Sequence, residues 1–375
     1  MKNLKKLFLI ITFLIVNCTL IIENACSQWV QTSGPQGGNI SSLTVSGSNI
    51  FAGTWGGGIF LSTNNGGSWT AVNNGLISLD VQSFAVSGSN IFVGTWGGGI
   101  FLSTNNGGSW TAVNNGLAIG DVRSLAVSGS NIFAGTFGGG MFLSTNNGGS
   151  WTAVNNGLTS PVVYSLAVSG VNIFAGTLVG GIFLSTNNGG SWTAVNNGLT
   201  SMDVYSFTVS GSNIFVGTWG GGIFLSTNNG GSWTAVNNGL TNGDVRSLAV
   251  SGSNIFAGTW GGGIFLSTNN GGSWVKKNEG FWNDSMIVHS LLITNESIFA
   301  GTDSSVWRRE LSEILSVQNI SSQIPSSFSL SQNYPNPFNP VTNIRFDIMK
   351  AGKVRLSVYD ITGKEVSVLT NEVLK

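Results

Sequence analysis

The stretch Ser62-Thr63-Asn64-Asn65-Gly66-Gly67-Ser68-Trp69 occurs six times, its tryptophan falling at Trp69, Trp110, Trp151, Trp192, Trp233 and Trp274. Each step is 41 residues. A fixed period of this size requires one supersecondary unit per repeat, because a single unit cannot bury its apolar face alone. The unit is clear around Val81. Residues 81–86, 91–95, 100–103 and 110–113 are short β-prone runs. Gly, Asn and Ser punctuate them, so each repeat reads as a four-stranded antiparallel meander. The runs lack clean apolar/polar alternation, which suits sheets buried on both faces against neighbours.

Four-stranded units repeated radially are the blades of a β-propeller. First strands begin at Ile40, Val81, Val122, Val163, Val204, Val245 and Val288. The seventh unit has three runs and no fourth. At the other end, Gln28-Trp29-Val30-Gln31-Thr32 resembles Trp69-Thr70-Ala71-Val72 and has no preceding partners. The fold class expected is therefore all-β: a seven-bladed β-propeller over residues 28–311. Its last blade is split, and the N-terminal strand closes the ring and covers a sheet edge. An open solenoid would leave that strand unexplained.

Charge is sparse, with 15 basic and 15 acidic residues in 375. Between Gln28 and Trp274 only Asp80, Asp121, Arg123, Asp203, Asp244 and Arg246 carry charge. No basic stripe exists to track phosphates, so no nucleic-acid partner is expected. The regular aromatic and β-branched residues argue against disorder.

The chain starts as an export signal. Lys2, Lys5 and Lys6 precede an apolar stretch over residues 7–22, and Ala25-Cys26-Ser27 supplies small residues for cleavage. Residues 1–27 are read as a signal peptide, with an uncleaved anchor as the alternative. Cys18 and Cys26 are the only cysteines, so cleavage after Ser27 leaves no thiol chemistry and no disulfide. Residues 312–327 shift to Ser, Gln and Asn and read as a linker. A small separate β module follows over residues 328–375.

Two resemblances sit on these segments. Ser62, Gly66, Ser68 and Trp69 match the Asp-box (BNR-like) repeat, Ser-x-Asp-x-Gly-x-Thr/Ser-Trp, with Asn64 in place of the aspartate. The resemblance implies a structural hairpin between third and fourth strands, with the tryptophan packed between blades. Asn64 keeps the acceptor and loses the charge. Both catalytic and non-catalytic propellers share the box. Residues 333–340, Asn-Tyr-Pro-Asn-Pro-Phe-Asn-Pro, with Val358-Tyr359-Asp360 and Gly363-Lys364, resemble the type A sorting domain of the type IX secretion system. That resemblance implies the type IX machinery as a partner and a destination outside the cell or on its outer surface. It also implies several further strands, so residues 328–375 are read as a truncated copy, a partial small β-sandwich.

Strand order places the turns between second and third strands on one face, here the top, with the loops between blades. The octapeptides lie on the bottom. The top receives Trp55, Trp96, Phe137, Leu178, Trp219, Trp260 and Asp303, each after a Gly-Thr pair. One position near the start of each first strand varies within otherwise near-identical repeats: Ser41, Gln82, Arg123, Tyr164, Tyr205, Arg246 and His289. The candidate ligand-binding residues are Trp55, Trp96, Phe137, Trp219, Trp260, Gln82, Arg123, Tyr164, Tyr205 and Arg246. They would hold a glycan or an extended peptide, with aromatic contacts adding about 0.5–1.5 kcal/mol each. Packing of these aromatics over Gly-rich turns is the competing reading.

Catalysis has little in its favour. Glycoside hydrolysis needs two carboxylates about 5–9.5 Å apart. Asp80, Asp121, Asp203 and Asp244 share one equivalent position, where a local backbone-acceptor role is expected. His289 is the only histidine, and no His/Cys cluster with metal-ligand spacing exists. No cofactor, no metal and no catalytic residue is assigned, and a monomer is expected. The reading is a secreted or cell-surface binding or adhesion module. A glycoside hydrolase or lyase of the Asp-box propeller type is the alternative.

Overall fold

The computed structural model describes residues 28–35, 38–315, 329–330, 346–347, 352–359 and 365–374. The unit Gln28–Leu315 is a ring of seven four-stranded antiparallel sheets. Blade 2 is typical, with strands Val81–Ser87, Asn90–Thr95, Gly99–Ser103 and Thr111–Ala112. First strands of neighbouring blades pack against one another all the way round, and that of blade 7 packs on that of blade 1. Fourth strands are shorter than the runs suggest. Only Thr111–Ala112 ladders with blade 2's third strand, because the chain leaves the sheet at Trp110 to send the indole inward.

The second strands explain the missing alternation. In Asn90–Thr95 every residue after Asn90 is buried, so both faces meet a neighbouring blade. The core is accordingly a set of clusters between blades. One joins Phe51 and Ile59 of blade 1 to Val81, Ile91, Val93, Phe101 and Trp110 of blade 2.

Closure follows the expected route. Val30–Gln31 pairs antiparallel with Val306–Glu310, making the fourth strand of a blade whose other three lie some 275 residues later in the chain. Trp29 is 1% exposed and stacks on Phe281 with ring centroids 5.2 Å apart. Its Nε1 donates to the Lys277 carbonyl at 2.7 Å. This repeats what five of the other six blades do. Trp110, Trp151, Trp192, Trp233 and Trp274 each donate to a valine carbonyl of the preceding blade at 2.7 Å. Trp69 finds Thr32 Oγ1 instead, at 3.1 Å.

The octapeptide is a self-contained hydrogen-bonded turn. Asn187 Oδ1 accepts from the Ser191 amide at 2.9 Å and the Ser185 hydroxyl at 3.0 Å. Its Nδ2 donates to Ser191 Oγ at 3.0 Å, which an aspartate could not do. The following Asn188 sits at φ +56°, a left-handed conformation that asparagine tolerates better than most residues. Asn187→Asp should therefore change stability by less than about 0.5 kcal/mol, since the amide acceptor survives. Asn187→Ala removes all three bonds and should cost about 1–2 kcal/mol. Urea titration of both variants checks the pair, and equal effects would remove the acceptor role.

A second asparagine series, not singled out from sequence, fastens the opposite end of the same strands. Asn114 Oδ1 accepts from Ile100 N at 2.7 Å and Nδ2 donates to the Gly98 carbonyl at 3.0 Å. Asn73, Asn155, Asn196, Asn237 and Asn278 do the same in their blades.

Composition placed a linker from residue 312. Residues Leu311–Leu315 instead form a short helix within the propeller unit. Leu311 and Ile314 are buried with Trp29, Met286 and Trp307, so apolar burial holds the chain on the ring past the last strand.

In the other unit, Ser329–Leu330 pairs with Phe346–Asp347, and Gly352–Tyr359 with Glu365–Leu374. Residues 1–27, 316–327 and 333–340, on which the signal-peptide, most of the linker and the proline-rich sorting motif readings rest, lie outside the described residues. Among the described residues no helix is long and apolar enough to cross a membrane.

Candidate functional site

The top face brings together most of the candidate residues. First strands enter from the top, so the variable position falls beside the turns that carry Trp96, Phe137, Trp219 and Trp260. The 41-residue step then sets equivalent side chains of adjacent blades next to one another. Tyr164 and Tyr205 stack with centroids 4.7 Å apart and planes 20° apart. Phe137 lies 5.4 Å from Trp96 and 6.5 Å from Tyr164. Tyr205 lies 5.7 Å from Trp219, and Trp260 meets His289 edge-on at 5.6 Å. The result is an aromatic arc from blade 2 to blade 5, with the Trp260–His289 pair continuing its line in blades 6 and 7.

Two arginines are set into the arc. The Arg123 guanidinium lies 4.3 Å from the Trp96 ring, 5.4 Å from Phe137 and 5.7 Å from Tyr164. Arg246 lies 4.2 Å from Tyr205, 4.3 Å from Trp219 and 4.6 Å from Trp260. Such contacts stabilise each cation by about 0.5–2 kcal/mol, more as water is excluded. Arg123 Nη1 donates to Gln82 Oε1 at 2.9 Å. Burial pulls both arginines below their usual range, against the opposing pull of the nearby tyrosines and of Asp121 or Asp244. Burial and then Tyr164 push the Tyr205 phenol up to about 12, so it is a neutral hydrogen-bonding group at physiological pH. Burial also lowers His289, although Asp303 accepts or shares its Nε2 proton at 2.6 Å.

The arc is not a full ring. Trp55 is 55% exposed and makes no ring contact with it. Ser41 turns its hydroxyl onto the Gly53 and Val81 carbonyls. Trp96 is half-buried beneath Arg123, whereas Trp219 and Trp260 keep 47% and 42% of their surface open. His289 and Asp303, outside the ten candidates, extend the arc into blade 7; their equivalence to Tyr205 and Trp219 was the available signal.

The aspartates have local work. Asp121, Asp203 and Asp244 accept through Oδ1 from the amides of Gly97, Val179 and Gly220 at 2.6–2.7 Å. Each holds the second-to-third turn of the blade before it. Among the described residues no group of three or more His, Cys, Asp or Glu side chains comes together.

Known proteins resemble the two units separately. Residues 332–374 match the secretion system C-terminal sorting domain family. No curated protein matches the chain. Among solved structures, the extracellular domain of the hybrid two-component system BT3049 from B. thetaiotaomicron superposes with a TM-score of 0.67 at 19% identity, covering 87% of this chain and 49% of that one. YCF48 from Cyanidioschyzon merolae gives 0.60 at 14% identity, covering 76% and 98%. The GH74 enzyme of Niastella koreensis gives 0.55 at 20% identity, covering 73% and 43%. The chain thus spans under half of the two larger proteins. At these identities the likeness shows the propeller fold. With the sorting tail, the chain is an extracellular β-propeller, taken by the type IX secretion route to the cell surface or the medium.

Proposed function

We propose that this propeller is a non-catalytic binding module whose top face holds a glycan. The observation that supports it most is the run of touching rings through blades 2 to 5, carried on to Trp260 of blade 6 by Arg246 and open on Phe137, Trp219 and Trp260. Exposed aromatic faces suit the C–H surfaces of sugar rings, while Gln82, Tyr164 and Tyr205 supply polar edges. A bound peptide is the nearest competitor, since YCF48 has been solved with the D1 peptide. A hydrolase or lyase has weaker support. A general acid or base must reach the scissile bond, and three of the four equivalent aspartates already hold turn amides.

Glycan-array binding followed by titration of the best ligand tests the reading. Trp219→Ala and Trp260→Ala should each weaken binding roughly 2- to 10-fold, with melting temperatures lowered by no more than a few degrees. Absence of binding to every glycan, or full binding by both variants, would sink it. Sugar release abolished by Asp80→Asn would favour the hydrolase instead.

A further inference from the structure

We propose that the ligand is an oxyanion-bearing polysaccharide, and that Arg123 and Arg246 select for its charge. The proposal rests on the glycan reading and adds the ligand's chemical class.

The arginines are half-buried cations without a counter-ion. Ion pairs among the described residues include Lys276–Asp284, His289–Asp303, Arg308–Glu310 and Arg309–Glu279. None involves Arg123 or Arg246. Their close side-chain partners are neutral: Gln82 for Arg123 and the Tyr205 hydroxyl for Arg246. The Nε–H of each is sealed from solvent with no acceptor among the described residues. Asp121 and Asp244 act on them only from beyond ion-pair distance, and each has one oxygen on a turn amide. Asp203 is likewise committed to Val179, and Asp303 to His289.

A buried cation with neutral partners is costly unless an anion reaches it. Rings crowd both guanidinium groups at 4.2–5.7 Å, and with Nε sealed the Nη donors at the planar edge are those left for a ligand. That edge matches a carboxylate or sulfate in bidentate fashion. The two arginines flank the Tyr164–Tyr205 stack, Arg123 beside Tyr164 and Arg246 beside Tyr205. A chain lying along the stack would present separate charged sugars to the two. A polymer with an acid on successive residues fits this better than a single charged monosaccharide.

The test compares polygalacturonate, the same polymer after carboxyl reduction, a sulfated carrageenan and poly-L-glutamate, in low and high salt. Polygalacturonate or carrageenan should bind about tenfold or more tighter than the reduced polymer, with affinity falling as salt rises. Arg123→Gln and Arg246→Gln should each remove most of that advantage, weakening the charged polymer far more than the reduced one. Arg→Lys at the same positions, retaining charge but not the fork, should fall between, which separates recognition from misfolding. Binding of polygalacturonate alone or of carrageenan alone identifies the oxyanion and supports the proposal. Equal binding of native and reduced polymer overturns it and leaves the glycan reading intact. Binding of poly-L-glutamate with no polysaccharide bound overturns both.

Discussion

Trp29→Ala should destabilise the propeller by about 3–5 kcal/mol, the range for truncating a large buried aromatic. Trp29 is 1% exposed, stacks on Phe281 and donates to Lys277 across 248 residues of chain. The substitution leaves a cavity in the cluster that also holds Met286, Trp307 and the Leu311–Leu315 helix. Trp192→Ala, in an interior blade with similar burial, serves as the reference. Both remove one indole and one interblade hydrogen bond, so their local costs should be comparable. Deleting residues 28–33 should do more. It strips the partner from Val306–Glu310, and the bare strand becomes an open edge for pairing with another chain. It also removes Thr32 Oγ1, the partner of the Val306 carbonyl and of the Trp69 indole. The deletion should lower the urea midpoint below that of Trp29→Ala and shift elution towards larger species. A deletion variant with the intact chain's midpoint and elution volume would show that this strand does not hold the ring closed.

That closure was readable in the sequence for a simple reason. Near-identical repeats make an orphan strand conspicuous, and Trp29 falls where the missing tryptophan belongs. Blade count was readable for the same reason, since each octapeptide marks one third-to-fourth turn. The helix at Leu311–Leu315 was not, because five residues carry too little periodicity to separate from a linker. At the top face the sequence supplied the residue series and the shared face. It could not supply contacts, because they arise between positions 14 to 41 residues apart in sequence, most of them across blades. That Arg123 inserts among Trp96, Phe137 and Tyr164 depends on blade spacing and rotamer. The aspartates were legible as turn acceptors, although their amides belong to the preceding blade's second-to-third turn.

The glycines of the second strands went unread for a related reason: their role concerns the next blade. Gly94 faces Val122, the 0%-exposed first residue of blade 3's first strand. A Cβ on Gly94 would lie 2.6 Å from Val122 Cγ1 and 2.7 Å from Ser83 Oγ. Val122 is β-branched and stiff at χ1, so its Cγ1 cannot swing away even if Ser83 Oγ turns aside. Gly53 meets Val81 in the same way, and Gly301 meets Ile40 to close the series. The first strands therefore approach as closely as they do because this position has no side chain. Gly94→Ala should cost about 1–3 kcal/mol through overpacking, at a site with no unusual backbone angle to blame. Gly88→Ala is the control. It has φ +61° and nothing within 4 Å, so its cost of roughly 1 kcal/mol would be conformational. The two mechanisms separate in a double-mutant cycle. Val122→Ala removes the Cγ1 that Gly94→Ala would strike, so the pair should couple favourably by about 0.5–3 kcal/mol. Gly88→Ala should be additive with Val122→Ala. An additive Gly94/Val122 pair in urea titration would mean the strands relax apart, and close approach at this glycine would not set the spacing of the ring.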